Sequence, residues 1–191
     1  MFPGARAAES VLSDQEAEAV RLARFLRDLH VPAPDDAPTN VFRGGGITGR
    51  NDTFEATVDP WSAATGASAD AARRVWRNAV NAPVWGDAPV WLHGDLHAAN
   101  IVVDAGGISA VIDWGDVCSG DPACDLAVAW MLFDADARDM FFGAYGEGAP
   151  RLHERPRAWA LLFGLVYWRA SEGDSLMDVM SRTVLGRVLP D

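Results

Sequence analysis

Lysine is absent from this sequence: all 16 basic residues are arginine, and they face 27 acidic residues for a net charge of −11 at pH 7. That balance argues against nucleic acid as a partner, since a phosphate backbone needs a basic face to neutralise it. A cationic, amine-bearing small molecule is compatible with it. Cysteine is nearly absent as well. Cys118 and Cys124 form no C-x-x-C pair, and two residues are too few for a disulfide framework or a structural zinc site. They are expected as free, reduced thiols in a cytoplasmic protein. No uninterrupted apolar run of about 18 residues occurs, and no apolar segment follows a basic start, so neither a membrane span nor an export signal is expected. A G-x-G-x-x-G phosphate loop between two strands is missing too. Gly44-Gly45-Gly46 sits in a turn-rich stretch and reads as loop backbone.

What is present is ordinary for a globular protein: 191 residues, 49% hydrophobic and 23% charged. That is enough for one domain with a real core, or for one lobe of a larger one. Ser13-Asp14-Gln15-Glu16 reads as a capping box, with Leu12 as a staple, opening a helix to about His30. Leu22, Phe25, Leu26 and Leu29 fall on one buried face of it. From Val31 to Ala67 no period is sustained, and the stretch reads as a long loop with room for one short helical turn. Ser68 caps a helix that buries Ala72, Val75, Trp76 and Ala79 and ends by Pro83. Asp121 and Pro122 open another, and Leu126 through Phe133, apolar on nearly every side, reads as a central buried helix. Further helices are expected from about Asp136 to Tyr145, stopped by Gly146 and Gly148, from Pro156 to Arg169, and from Asp174 to Val188. The last has Leu176, Val179, Met180 and Leu185 inward.

The chemistry is concentrated between Trp91 and Asp125. A short apolar strand leads into the polar loop HGDLHAAN, and two strand-like runs, NIVVD and ISAVIDW, are joined by the turn signal at Asp104-Ala105-Gly106-Gly107. The hairpin brings its ends, Asn100 and Asp113, together, with Asp95 on the same rim. A hard cation such as Mg²⁺ is held by one or two carboxylates plus substrate phosphates, which suits Asn100 and Asp113. Asp95, left off the metal, is free to orient an attacking hydroxyl or take its proton. His97 reads either as a phosphate contact or as a structural histidine, Trp114 as core, and Asp116 and Asp121 as caps or ligands.

HGDLHAAN followed by VIDWGD and GDPACDLA resembles the aminoglycoside phosphotransferase and choline kinase-like family of small-molecule kinases. The resemblance implies an α+β, mainly α fold: the C-terminal lobe of a protein-kinase-like protein with a small β-hairpin at its catalytic edge. It implies Asp95 as catalytic base, Asn100 and Asp113 as Mg²⁺ ligands on ATP or GTP, and His93 and Asp125 as supports of the catalytic loop. Acidic residues of the helical part, with Asp116, Glu172, Asp174 and Asp178 as candidates, would contact acceptor amines. Residues of the 31–67 stretch, among them Arg43, Arg50 and Asp52, would approach the acceptor side. Phe2-Pro3-Gly4 resembles the end of the hinge between the two lobes, so residues 1–191 are expected to be the second lobe alone, without the N-terminal lobe and its phosphate-pairing lysine. The implied reaction is phosphorylation of a hydroxyl on an aminoglycoside-like or other small acceptor, as in antibiotic resistance.

Two other readings remain open at this stage. A lobe without its nucleotide-anchoring partner is a truncated or vestigial kinase, acting as a non-catalytic binding module, able to dimerise through its uncovered edge. The alternating His93, Asp95 and His97 would also suit Zn²⁺ in a metal-dependent hydrolase.

Overall fold

The computed structural model describes residues 3–146, 153–172 and 174–189. Phe2 of the hinge-like tripeptide and Gly148 lie outside them. Eight helices and five short strands are described, in the order β1 (Ala5–Arg6), α1 (Gln15–Leu29), α2 (Asn51–Thr65), α3 (Ala69–Asn81), β2 (Val90–Leu92), β3 (Ile101–Asp104), β4 (Gly107–Val111), β5 (Cys118–Gly120), α4 (Ala123–Leu126), α5 (Val128–Leu132), α6 (Ala135–Tyr145), α7 (Glu154–Ala170) and α8 (Ser175–Val188). The fold is mainly helical, with the strands in two small antiparallel sheets ordered β1-β3-β4 and β2-β5. No helix among the described residues is long and apolar enough to cross a membrane.

The core lies between α7, buried over most of its length, and the helices around it. α8 closes one side with Met180, Val184, Leu185 and Val188, and α2 and α3 close another. α1 buries Ala19, Leu22, Ala23 and Leu26, a stripe of helical period, and packs along α6. Its cap is Asp14, whose carboxylate accepts from the Ala17 backbone N–H at 3.0 Å. Ser13, the expected capping residue, instead donates its backbone N–H to Gly106 at 2.9 Å and so ties the helix start to the β3–β4 turn. Phe25 is 38% exposed, not buried with its stripe, and meets the edge of Trp114.

The largest departure from the sequence reading is α2. Residues 51–65 are helical where a loop was expected, with Pro60 inside the helix. Phe54, Val58 and Trp61 recur at helical spacing and are buried, Phe54 stacks on Trp76 of α3 at 4.3 Å, and Asn51 accepts from the Trp76 indole at 2.8 Å. Tertiary packing here overrides the breaker signals of Pro60 and the flanking glycines, because one missing N–H costs less than that aromatic burial contributes. α3 forms as its pattern predicts, with Ser68 accepting from the Ala71 N–H and Ala72, Val75, Trp76 and Ala79 buried. The apolar run after Pro122 is fully buried but divides into α4 and α5 around Ala127. α7 starts at Glu154, two residues before Pro156, and in α8 Val179 faces outward at 45% exposure.

Candidate active site

β3 and β4 meet in a two-residue turn, Ala105-Gly106, in which both residues have positive φ, the twist that suits a tight hairpin. Ile101 pairs with Val111, and the Ile112 N–H donates to the Asn100 carbonyl at 2.9 Å. The hairpin therefore holds the backbones of Asn100 and residues 111–113 side by side. Asp113 follows with φ 63°, a left-handed conformation that aspartate tolerates better than most residues. Among the described residues its carboxylate accepts no hydrogen bond and joins no ion pair.

The loop that carries His93, Asp95 and His97 precedes the hairpin. Gly94 has φ 83°, and a Cβ there would run into the Asp116 carbonyl, so only glycine lets the loop pass this close. The loop is held from behind by Asp125 of α4, which is fully buried. Asp125 accepts from the His93 backbone N–H at 2.7 Å and from Gly94 at 3.0 Å, and its Oδ2 lies 3.3 Å from His30 Nε2. His30 Nδ1 in turn lies 2.9 Å from the Tyr145 hydroxyl. A carboxylate fully removed from water is tolerable only with such a complete set of donors.

The His93 side chain is also fully buried, under the Trp114 ring. Its Nδ1 faces the Asp95 N–H at 3.3 Å and its Nε2 faces the Ile112 carbonyl at 3.0 Å. That pattern assigns the proton to Nε2 and consumes both nitrogens. Trp114 is 41% exposed, a lid on His93 in place of the core residue the sequence suggests. The zinc arrangement fails for the same reason: His93 has no free nitrogen to give, and no cluster of three metal-ligating side chains exists among the described residues.

Asp95 is half-buried at the front of the loop. Its Oδ1 accepts from Arg43 Nη2 at 2.9 Å and its Oδ2 lies 3.4 Å from His97 Nε2. Burial acts to raise this carboxyl, but hydrogen bonds and positive charge from His97 and Arg43 outweigh it and hold Asp95 well below the usual carboxylate range. Asn100 is buried, and its amide nitrogen donates to the Asp95 carbonyl at 2.9 Å, which leaves its Oδ1 for another partner. Cys118 and Cys124 are free and buried. Burial pushes the Cys118 thiol up to about 11 and Cys124 higher still, so neither serves as a nucleophile at neutral pH.

The remaining candidates lie apart from Asp95. Asp116 accepts from Asn40 Nδ2 at 2.8 Å. Asp121 caps α4 through the Ala123 N–H and takes a two-pronged contact from Arg155, with Nε at 2.9 Å. Glu172 is exposed before α8, Asp174 caps that helix through the Leu176 and Met177 N–H groups, and Asp178 pairs with Arg182. None of the last three touches Asp95, Asn100 or Asp113. Asp52 is exposed in the first turn of α2. Sequence reasoning missed an aromatic row on α7. Trp159, Phe163 and Tyr167 stand four residues apart on the face toward Arg43 and His97, with Arg43 over the Phe163 ring at 4.8 Å and Tyr167 edge-on to His97 at 5.9 Å. Their spacing was legible, but an aromatic stripe on an apolar helix reads as core.

This fold is that of protein-kinase-like phosphotransferases. An AMP-bound spectinomycin phosphotransferase superposes with a TM-score of 0.63 at 14% identity, covering 100% of this chain and 70% of that one. The macrolide 2′-phosphotransferase of Brachybacterium faecium gives 0.54 at 19%, covering 96% and 68%. An ADP-bound aminoglycoside phosphotransferase gives 0.51 at 17%, covering 98% and 70%. No curated protein matches the sequence. The phosphotransferase enzyme family matches residues 3–159, and the chain belongs to that family.

Proposed function

We propose that these 191 residues are the acceptor-side, C-terminal lobe of a kinase that transfers the γ-phosphoryl of ATP, or GTP, to a hydroxyl of a small molecule. The observation that carries this reading is the setting of Asp95, an ionised, half-buried carboxylate whose main chain is fixed by Asn100 and whose side chain is aimed by Arg43 and His97. In the transfer the acceptor oxygen forms a bond to Pγ, the bond from Pγ to the bridging oxygen breaks, and the nucleoside diphosphate leaves. The hydroxyl proton passes to Asp95 late, once the new bond has acidified it. A carboxylate held this far below its usual range is a weak base, so its main contribution is to orient the hydroxyl by hydrogen bonding.

Asn100 and Asp113 fit Mg²⁺. The amide nitrogen of Asn100 is spent on the backbone, which turns its oxygen into the available donor, and the Asp113 carboxylate has no competing partner among the described residues. When bound, the ion supplies charge neutralisation on the phosphates. His93 and Asp125 act from behind, setting the loop on which Asp95 stands. The phosphate-pairing lysine and the roof over the nucleotide base would come from a lobe outside these 191 residues.

Calorimetric titration of the 191-residue chain with Mg²⁺-ATP, beside Asp113→Ala, tests the reading. Micromolar binding in the parent, weakened at least about 10-fold in the variant, is expected of a lobe that presents a metal-phosphate site. Equal binding by both proteins would remove Asp113 from the site. No heat from either would favour the binding-module reading, in which the lobe handles acceptor alone.

A further inference from the structure

Arg43, which donates to Asp95, also lines a cavity of about 270 Å³ together with Val41, Phe42, Thr48, Arg50, Trp159 and the glycines of the same segment. Three of its polar groups are buried without a hydrogen-bond partner among the described residues: Nε of Arg43, Nε of Arg50 and Nε1 of Trp159. Trp159 is 1% exposed. A buried donor left unpaired is costly, so three on the wall of one cavity call for an occupant. All three are obligate donors, since neither guanidinium nor indole can accept. The occupant must therefore bring acceptor oxygens.

Charge points the same way. Arg50 is in no ion pair among the described residues, and burial together with the nearby Arg43 charge lowers its pKa. Two guanidiniums share this wall, and among the described residues only one carboxylate, Asp95, answers them. The lining includes neither Asn100 nor Asp113, and Arg43, which donates to Asp95, links the cavity to that carboxylate. At its mouth Val41 and Phe42 are exposed apolar side chains.

Resting on the kinase reading above, we propose that the acceptor carries an anionic oxygen group, a carboxylate or phosphate, which sits between Arg43, Arg50 and the Trp159 indole N–H while its hydroxyl meets Asp95. Arg43 bridges the two, with Nη2 on Asp95 and Nε toward the anion. An anionic acceptor in place of a cationic one reverses the expectation drawn from the overall charge, because the field at the site is set by the two arginines facing it and not by the sum over the surface.

The test is calorimetry on the 191-residue chain with D-glycerate and with inorganic phosphate, against glycerol and ethanolamine at matched ionic strength. The expected result is saturable binding of either anion, none of glycerol or ethanolamine, and a loss of about 10-fold or more in Arg50→Gln. Trp159→Phe, which removes only the indole donor, should weaken the same anion about 5-fold while far-UV circular dichroism stays unchanged, so the claim survives a misfolded arginine variant. Preference for glycerate over phosphate would identify a carboxylate acceptor, and the reverse a phosphorylated one. Binding of ethanolamine in place of the anions, no anion binding by folded protein, or equal affinity in both variants would overturn the proposal. Displacement of the anion by Mg²⁺-ATP would overturn it too, by assigning the arginines to the nucleotide. The Mg²⁺-ATP titration does not depend on Arg50, so the kinase reading stands or falls separately.

Discussion

Asp125 is the residue on which the geometry of the loop carrying Asp95 most depends. Its carboxylate accepts two consecutive loop amides and faces His30, all out of contact with water. Asp125→Asn keeps the shape but sets an NH₂ group among donors. A broken buried network of this kind should cost roughly 3 kcal/mol. Urea denaturation would read the loss as a lowered midpoint at constant slope, and an unchanged midpoint would show that the amides find other acceptors. The sequence marked Asp125 only through its motif. Its depth and its link to His30, 95 residues away, are tertiary facts that no local pattern carries. Arg43 is the converse case. The sequence offers it as one of three candidates in a loop without period, and only the folded chain sets its guanidinium against Asp95.

At the scale of elements, the hairpin, α3, α6 and α8 were legible because each carries its own start and stop signals. α2 was not. Phe54, Val58 and Trp61 give it a helical stripe, but Pro60 and the glycines on either side argue for a loop, and the deciding interaction is with Trp76 on another helix. Pro60 is exposed, so its side chain contributes little packing, and it leaves the Ala56 carbonyl without a helical donor. Pro60→Ala should stabilise the protein by about 1–2 kcal/mol, the helix gain exceeding the added freedom of the unfolded chain. Thermal melting would show a raised Tm. A lowered Tm would mean that the surroundings of α2 are shaped to a kink at Pro60.

Across the whole molecule, one apolar cluster runs from α1 through α3, α5 and α7 to α8 and includes Trp61, Trp76, Trp130 and Trp159. A core without an internal seam should unfold as a unit. Tryptophan fluorescence and far-UV circular dichroism are therefore expected to trace superimposable urea transitions. A separate early phase in fluorescence would show that α2 and α3 detach first. The fold class was readable at this scale because apolar periodicity dominates the helices. The local charge at the site was not, since a net of −11 describes the whole chain while the Asp95 carboxylate is governed by its neighbours His97 and Arg43.

The buried tie between Asp125 and the His93-Gly94 amides leaves the catalytic turn no inexpensive way to open. Any adjustment to a docking molecule must come from the facing segment around Arg43, where Gly45, Gly46 and Gly49 have no neighbouring atom close enough to limit even an added methyl group. The site is thus an anvil and a jaw. On the kinase reading proposed above, chemistry would be registered on the tied half, and substrate choice could drift over generations in the other half without disturbing the position of Asp95.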